Sequence, residues 1–236
     1  MRLRARFVLA GAFALGCPSS SGDTNEDAAP VEPCADAATF VGEGTYYDFA
    51  DGSGACGFPP TPDDLMVGAM NMVDFAGSAA CGACARVDGP NGSVDVRIVD
   101  LCPECAPGDI DLSPQAFERI APLEDGRVEI QWRYIPCDVE GAVVYHFKDG
   151  SNPWWTAVQI RNARHAVETL EVELDGAWVN VPRFDYNYFV REAGMGEGPF
   201  SFRVTDVTGE VLVDEGIPLL DDADAQGGAQ FATCEP

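Results

Sequence analysis

Six of the nine cysteines fall between Cys56 and Cys137, four of them spaced as Cys81-x2-Cys84 and Cys102-x2-Cys105. Cysteines this dense either cross-link a domain or hold a metal, and the two spacings fit a four-cysteine zinc site. The amino terminus weighs against the metal. Arg2, Arg4 and Arg6 precede an apolar run from Phe7 to Leu15 that ends at Gly16-Cys17, the basic, apolar and small-residue order of an export signal. That run is shorter than the about 20 residues a permanent membrane helix needs. Exported thiols oxidise, and an oxidised thiol cannot ligate metal as a thiolate. Disulfides are expected, with no metal and no cofactor.

Ala14-Leu15-Gly16-Cys17 resembles a bacterial lipobox, with Ala14 where Leu is more typical. On that reading residues 1–16 are a lipoprotein signal peptide and Cys17 is the lipidated first residue of the mature chain. The odd cysteine count then resolves, since eight remain for four disulfides. Residues 17–39, with Ser19-Ser20-Ser21-Gly22 and then Asp23, Glu26, Asp27, Pro30, Glu32 and Pro33, read as a flexible acidic tether. The expected location is lipid-anchored at a bacterial cell surface, or secreted.

Charge narrows the partners. Fourteen basic residues face 39 acidic ones, a formal charge of −25. Such a chain repels phosphate backbones and anionic lipid surfaces, so nucleic acid is excluded and the membrane is reached only through the lipid on Cys17. Neutral partners fit, and a monomer is expected. Hydrophobic residues at 46% suffice for a core, and Gly 25 with Pro 17 favours a turn-rich β architecture. The composition then divides near Pro136, because three of the four tryptophans lie beyond it and only Cys234 follows Cys137. Two domains are expected, 40–137 and 138–236.

In the first domain Val94, Val96 and Ile98 alternate within Ser93–Val99, and Val128, Ile130 and Trp132 within Arg127–Tyr134. Both patterns predict half-buried strands. Ser113 to Ile120 is the best helix candidate, with Ser113 as cap and Pro114 at the first helical position. In the second domain Ala157–Arg161, Glu168–Leu174, Phe200–Val204 and Glu210–Val213 predict strands parted by turns such as Asp175-Gly176 and Thr208-Gly209. Short strands so spaced suggest a sandwich, with Trp178 in its core.

Gly44-Thr45-Tyr46-Tyr47, Gly54-Ala55-Cys56-Gly57, Ala80-Cys81-Gly82-Ala83-Cys84, Val96-Arg97-Ile98-Val99-Asp100, Ile110-Asp111-Leu112-Ser113 and Trp132 to Cys137 occur in the order found in expansins. Trp154-Trp155-Thr156-Ala157-Val158-Gln159-Ile160-Arg161-Asn162 and Asp185-Tyr186-Asn187-Tyr188-Phe189-Val190 are similar to the C-terminal domain of bacterial expansins. The likeness spans about residues 42–218. It implies a six-stranded double-psi β-barrel, related to family-45 endoglucanases, followed by an immunoglobulin-like β-sandwich that binds carbohydrate. Likeness to plant expansins implies Cys56–Cys81 and Cys84–Cys137; Cys102–Cys105 would close a short loop, leaving Cys34–Cys234.

By that resemblance Thr45, Tyr47, Asp100 and Asp111 are candidate groove residues, with Asp111 where the endoglucanases place a general acid. Trp154, Trp155 and Tyr186 match an aromatic platform for cellulose, and Lys148, the only lysine, falls beside it. Adjacent tryptophans in an ideal strand point to opposite faces, so a shared surface requires a strand end or bulge near Asn152-Pro153. Cys102 stands where bacterial expansins often carry a groove tyrosine. An inverting glycosidase needs a base about 6.5–9.5 Å from its acid. Asp48 is the candidate, but alternation from Thr45 and Tyr47 turns it away, to a solvated loop position. The implied function is binding to β-1,4-glucan of the cell wall, cellulose above all, and loosening without hydrolysis. The alternatives are an inverting endo-β-1,4-glucanase, or a peptidoglycan-acting lipoprotein similar to rare lipoprotein A. The latter family uses a histidine in its barrel, whereas His146 and His165 fall in the second domain.

Overall fold

The computed structural model describes residues 38–233. The expected leader, the lipidated Cys17, most of the tether and the Cys34–Cys234 bridge lie outside these residues. Among the described residues no helix is long and apolar enough to cross a membrane.

Alternation builds the barrel. In β4 (Gly92–Cys102) Val94, Val96 and Ile98 are buried, and in β6 (Val128–Ile135) Ile130 and Trp132 are, with polar neighbours outside. Together with β1 (Phe40–Tyr46), β2 (Val67–Asn71), β3 (Cys84–Gly89) and β5 (Ile110–Leu112) they close in the order β1-β5-β2-β4-β3-β6. The pairs β1–β5 and β2–β4 are parallel and the other four antiparallel. Closure leaves no open edge. Phe40 stacks on Trp132 at 4.1 Å, and the Trp132 indole donates to Gly108 O at 2.7 Å.

Two short helices finish this body, α1 (Met72–Phe75) and α2 (Pro114–Phe117). Ser113 caps α2 as expected, its Oγ accepting from Ala116 N at 3.0 Å. The helix stops earlier than Ile120, because Arg119 and Ile120 close tighter bonds to Ala116 and Phe117 carbonyls three residues back. Disulfides join Cys56 to Cys81, Cys84 to Cys137 and Cys102 to Cys105. The four cysteines with zinc-like spacing are thus all engaged in sulfur–sulfur bonds.

The second body packs two four-stranded sheets. One orders β10 (Ala177–Val181), β9 (Val167–Leu174), β12 (Phe200–Asp206) and β13 (Val211–Ile217). The other orders β11 (Phe189–Arg191), β8 (Thr156–Arg161), β7 (Val144–Phe147) and β14 (Ala223–Gln226). Tyr145, Phe147, Val158, Leu170, Phe202 and Val204 fill the space between them. Asp175 and Gly176 both take positive φ, 52° and 79°, in the hairpin turn between β9 and β10. Trp178 corrects the expectation of a core residue. It lies one position out of phase with Val179 and Val181, half-buried, with the Arg203 guanidinium 4.8 Å from its ring centre.

Polar bonds dock the sandwich on the barrel. Cys56 O accepts from Gln159 Nε2 at 2.9 Å and Asn187 Nδ2 at 3.0 Å; Ser78 Oγ donates to Phe184 O at 2.8 Å, and Cys137 N to Arg164 O at 2.7 Å. Arg183 adds a bond to Ser78 O at 3.1 Å, and burial holds its guanidinium down at about 10. The outer face of the sheet carrying Gln159 is therefore covered by the barrel at that point.

Candidate functional site

The barrel brings the four groove candidates together in two pairs. Thr45 and Asp111 are direct partners across the parallel β1–β5 ladder, and Thr45 Oγ1 donates to Asp111 Oδ1 at 2.7 Å. Burial pushes the Asp111 carboxyl above the usual aspartate range; the Thr45 bond and the nearby Arg127 pull against that. Asp111 is thereby suited to holding a proton or donating to a sugar oxygen.

The second pair depends on an irregularity. Continued alternation along β4 would send Asp100 inward behind Val96 and Ile98. The register against β2 shifts instead between Ile98 and Asp100, so Val99 is an extra residue. Ile98 and Val99 are both buried and Asp100 is half-exposed. Its Oδ1 accepts from Ala55 N at 2.6 Å and Leu101 N at 2.8 Å, and its Oδ2 from the Tyr47 hydroxyl. Burial, then the bond to Asp100, raises the Tyr47 pKa far above the ordinary tyrosine value, so this phenol stays a donor. Gly54 is required here, since a Cβ would meet Asp100 Cβ at 2.5 Å.

Thr45 and Asp111 line a cavity of about 260 Å³ with the Cys102–Cys105 disulfide, Glu104 and Arg127. The two sulfurs and an Asp111 oxygen lie within 4.8 Å of one another, so the staple forms the wall where a tyrosine is common in the resembled family. Glu104 and Arg127 were not signalled by the sequence. Asp48 is exposed, with Oδ1 accepting from Ala50 N at 2.8 Å in its own loop.

The aromatic candidates occupy the outer face of the second sheet. Asn152 makes the departure from strand alternation: its Oδ1 accepts from Trp154 N at 2.9 Å and Trp155 N at 3.1 Å, and its backbone pairs with Trp155. In this turn Trp154 is 75% exposed, the most open large apolar side chain among the described residues. Trp155 is half-buried against a cluster of Ala157, Tyr188 and Val190 that stands apart from the sandwich core. Tyr186 is 37% exposed, its ring 5.7 Å from Phe184 and 5.8 Å from Tyr188. Lys148 places its Nζ 5.6 Å from the Tyr188 ring centre. Tyr188 is a residue that sequence reasoning passed over, although its aromatic repeat with Tyr186 could have flagged it.

Groove and platform meet through Ala55–Gly57. Ala55 N holds Asp100, Cys56 O holds Gln159 and Asn187, and a Cβ on Gly57 would lie 4.0 Å from the Tyr188 ring. The histidines take no part. His146 Nδ1 lies 2.7 Å from Asp224, and His165 Nδ1 lies 2.6 Å from Asp206, both within the sandwich.

The chain resembles known proteins in sequence and in overall fold. A family model described as lytic transglycolase matches residues 67–132. The chain is 39% identical to Expansin-YoaJ of Bacillus subtilis (strain 168) over 183 residues, 76% of this chain and 78% of that protein. It is 30% identical to expansin-like protein 1 of Dictyostelium discoideum over 182 residues, 71% of this chain and 63% of that protein. The crystal structure of apo expansin from Clavibacter michiganensis matches with a TM-score of 0.77 at 30% identity, covering 83% of this chain and 98% of that one. A mutant of that protein in complex with cellohexaose matches with the same score at 29% identity.

Proposed function

The chain belongs to the expansin family, and from that premise we propose that it binds β-1,4-glucan of the cell wall and loosens it without cutting it. The observation that carries this is the exposed Trp154 next to Trp155, whose cluster apart from the sandwich core includes Tyr188, with Tyr186 5.8 Å from that tyrosine. Indole and phenol faces stack on the apolar faces of pyranose rings, and that contact needs no charge, which suits a chain of −25. The barrel groove engages a neighbouring glucan through Asp111, Thr45 and the Tyr47–Asp100 pair, and non-covalent contacts between glucan strands are what gives way. A glucan seen in the Clavibacter expansin complex is of the same chemical class.

Hydrolysis is the second reading, and Asp111 favours it as far as an acid goes. A base is wanting, since Asp48 is committed to its own loop. The lytic transglycolase match invites a peptidoglycan reading, but neither histidine reaches the groove. A pull-down on insoluble cellulose with a reducing-sugar assay separates these. Depletion without sugar release is expected; release lost in Asp111→Asn would make the protein a hydrolase, and no depletion would remove both. We further propose export with lipid on Cys17, checked by mass spectrometry of the mature amino terminus.

A further inference from the structure

A second crevice, of about 410 Å³, opens between barrel and sandwich, lined by Phe58, Arg97, Pro136 and Arg161 among others. Its volume lies within the about 300–1,000 Å³ of small-molecule sites. Arg97 is the unusual residue. Its guanidinium carbon lies over the Phe58 ring, 4.1 Å from the ring centre, and among the described residues it has neither a hydrogen-bond acceptor nor an ion-pair partner. An arginine in a crevice normally spends its planar fork on a carboxylate or phosphate. Arg161 lies close enough for its charge to oppose that of Arg97, yet it is already engaged with Gln159 Oε1 at 2.6 Å and Asp224 at 3.4 Å. Burial holds the Arg97 guanidinium below the usual arginine range, Arg161 pushes the same way, and Asp64 pulls back.

We propose that this crevice binds a single uronic acid residue, the Arg97 fork taking its carboxylate. Three features select that class. One uncommitted fork beside Asp64 and Asp138, with the third lining carboxylate, Asp95, already held by Arg86, suits one negative charge better than the two of a phosphate. Those two carboxylates are acceptors for sugar hydroxyls. Pro59, Met66, Ile135 and Val139 offer apolar surface to the C–H face of a ring. The overall charge of −25 repels a polyanion, so the fitting partner is a neutral glycan with isolated uronate branches. This site shares no residue with the groove or platform described above.

Isothermal titration of the full chain at low salt with D-glucuronate tests it, against D-glucose, the methyl ester of glucuronate and inorganic phosphate. Saturable binding is expected for glucuronate alone, weakened about tenfold or more in Arg97→Gln, the loss of a charged hydrogen-bond pair. Arg97→Lys keeps the charge without the fork and should also bind more weakly; it serves if Arg97→Gln does not fold. Absence of glucuronate binding, equal binding of glucose or phosphate, or unchanged affinity in the folded Arg97 variants would overturn the site. Cellulose retention, read on the same samples and expected to be unchanged in both variants, separates failure here from failure of the glucan reading.

Discussion

Asp111 and Asp100 are aspartates on the two barrel strands that flank β2, and their surroundings divide them. Asp100 is saturated by Ala55 N, Leu101 N and the Tyr47 hydroxyl, so it shapes the groove. Asp111 has one side-chain donor, Thr45, and a raised pKa caused first by burial. A raised carboxyl stabilises the fold fully below the ordinary aspartate value of 3.8 and loses that contribution as pH climbs through the folded value. Asp111→Asn, which cannot ionise, should therefore gain stability relative to the parent as pH rises from about 3 to 7. Thermal melts of both proteins across that range check it; a difference independent of pH would contradict the assignment. Trp154→Ala removes the most exposed stacking face and should weaken cellulose binding by about twofold to tenfold, since such contacts are worth about 0.5–1.5 kcal/mol. Unchanged depletion isotherms would move the platform elsewhere.

At the scale of elements, two irregularities aim the functional side chains. One is the extra Val99 in β4, which turns Asp100 out of the barrel interior. The other is the Asn152–Trp155 turn, which rests on the segment after β11. Gly194 sits there at φ 70°, and a Cβ would come within 2.0 Å of Pro153 O and 2.4 Å of Trp154 Cα. Gly194→Ala should displace the turn and reduce cellulose retention severalfold, with the sandwich still folded. Far-ultraviolet circular dichroism alongside pull-downs would show it, and a variant that retains cellulose normally would mean the turn is held by other contacts. The regular parts were readable in the chain: β4, β6 and β12 follow period two, and Ser113-Pro114 marks a helix start. The irregular parts were not. A bulge leaves no compositional trace at Val99, and the size and strand setting of Trp178 pointed to the core although its phase against Val179 and Val181 turns it the other way. The parallel β1–β5 pairing joins segments 66 residues apart, so no local pattern announces it. That the cysteines form disulfides was legible from the export signal, but which cysteine joins which was legible only through family resemblance, because spacing alone left the pairing open.

Across the whole molecule, the groove and the platform are held by one short bridge of backbone. Cys56 is locked to Cys81 on the barrel side, while its carbonyl accepts from two buried amides of the sandwich, Gln159 and Asn187. Nothing in the sequence advertises this, since the acceptor is a main-chain oxygen 103 residues from Gln159. The consequence is mechanical. A ligand that moves Asp100 pulls on Ala55, and Ala55 is the neighbour of the residue that docks the sandwich. Gln159→Met keeps the side-chain length, removes the donor to Cys56 O and leaves Arg161 Nε without its acceptor. A buried polar group deprived of its partner costs about 1–3 kcal/mol, which lowers the melting temperature by about 2–4 °C per kcal/mol in a body of this size. The bodies share disulfide-anchored contacts, so calorimetry should give one cooperative transition in the parent, shifted down in the variant. If the parent instead melts in two steps and Gln159→Met moves neither, the sandwich and barrel are independent and the coupling between groove and platform is lost.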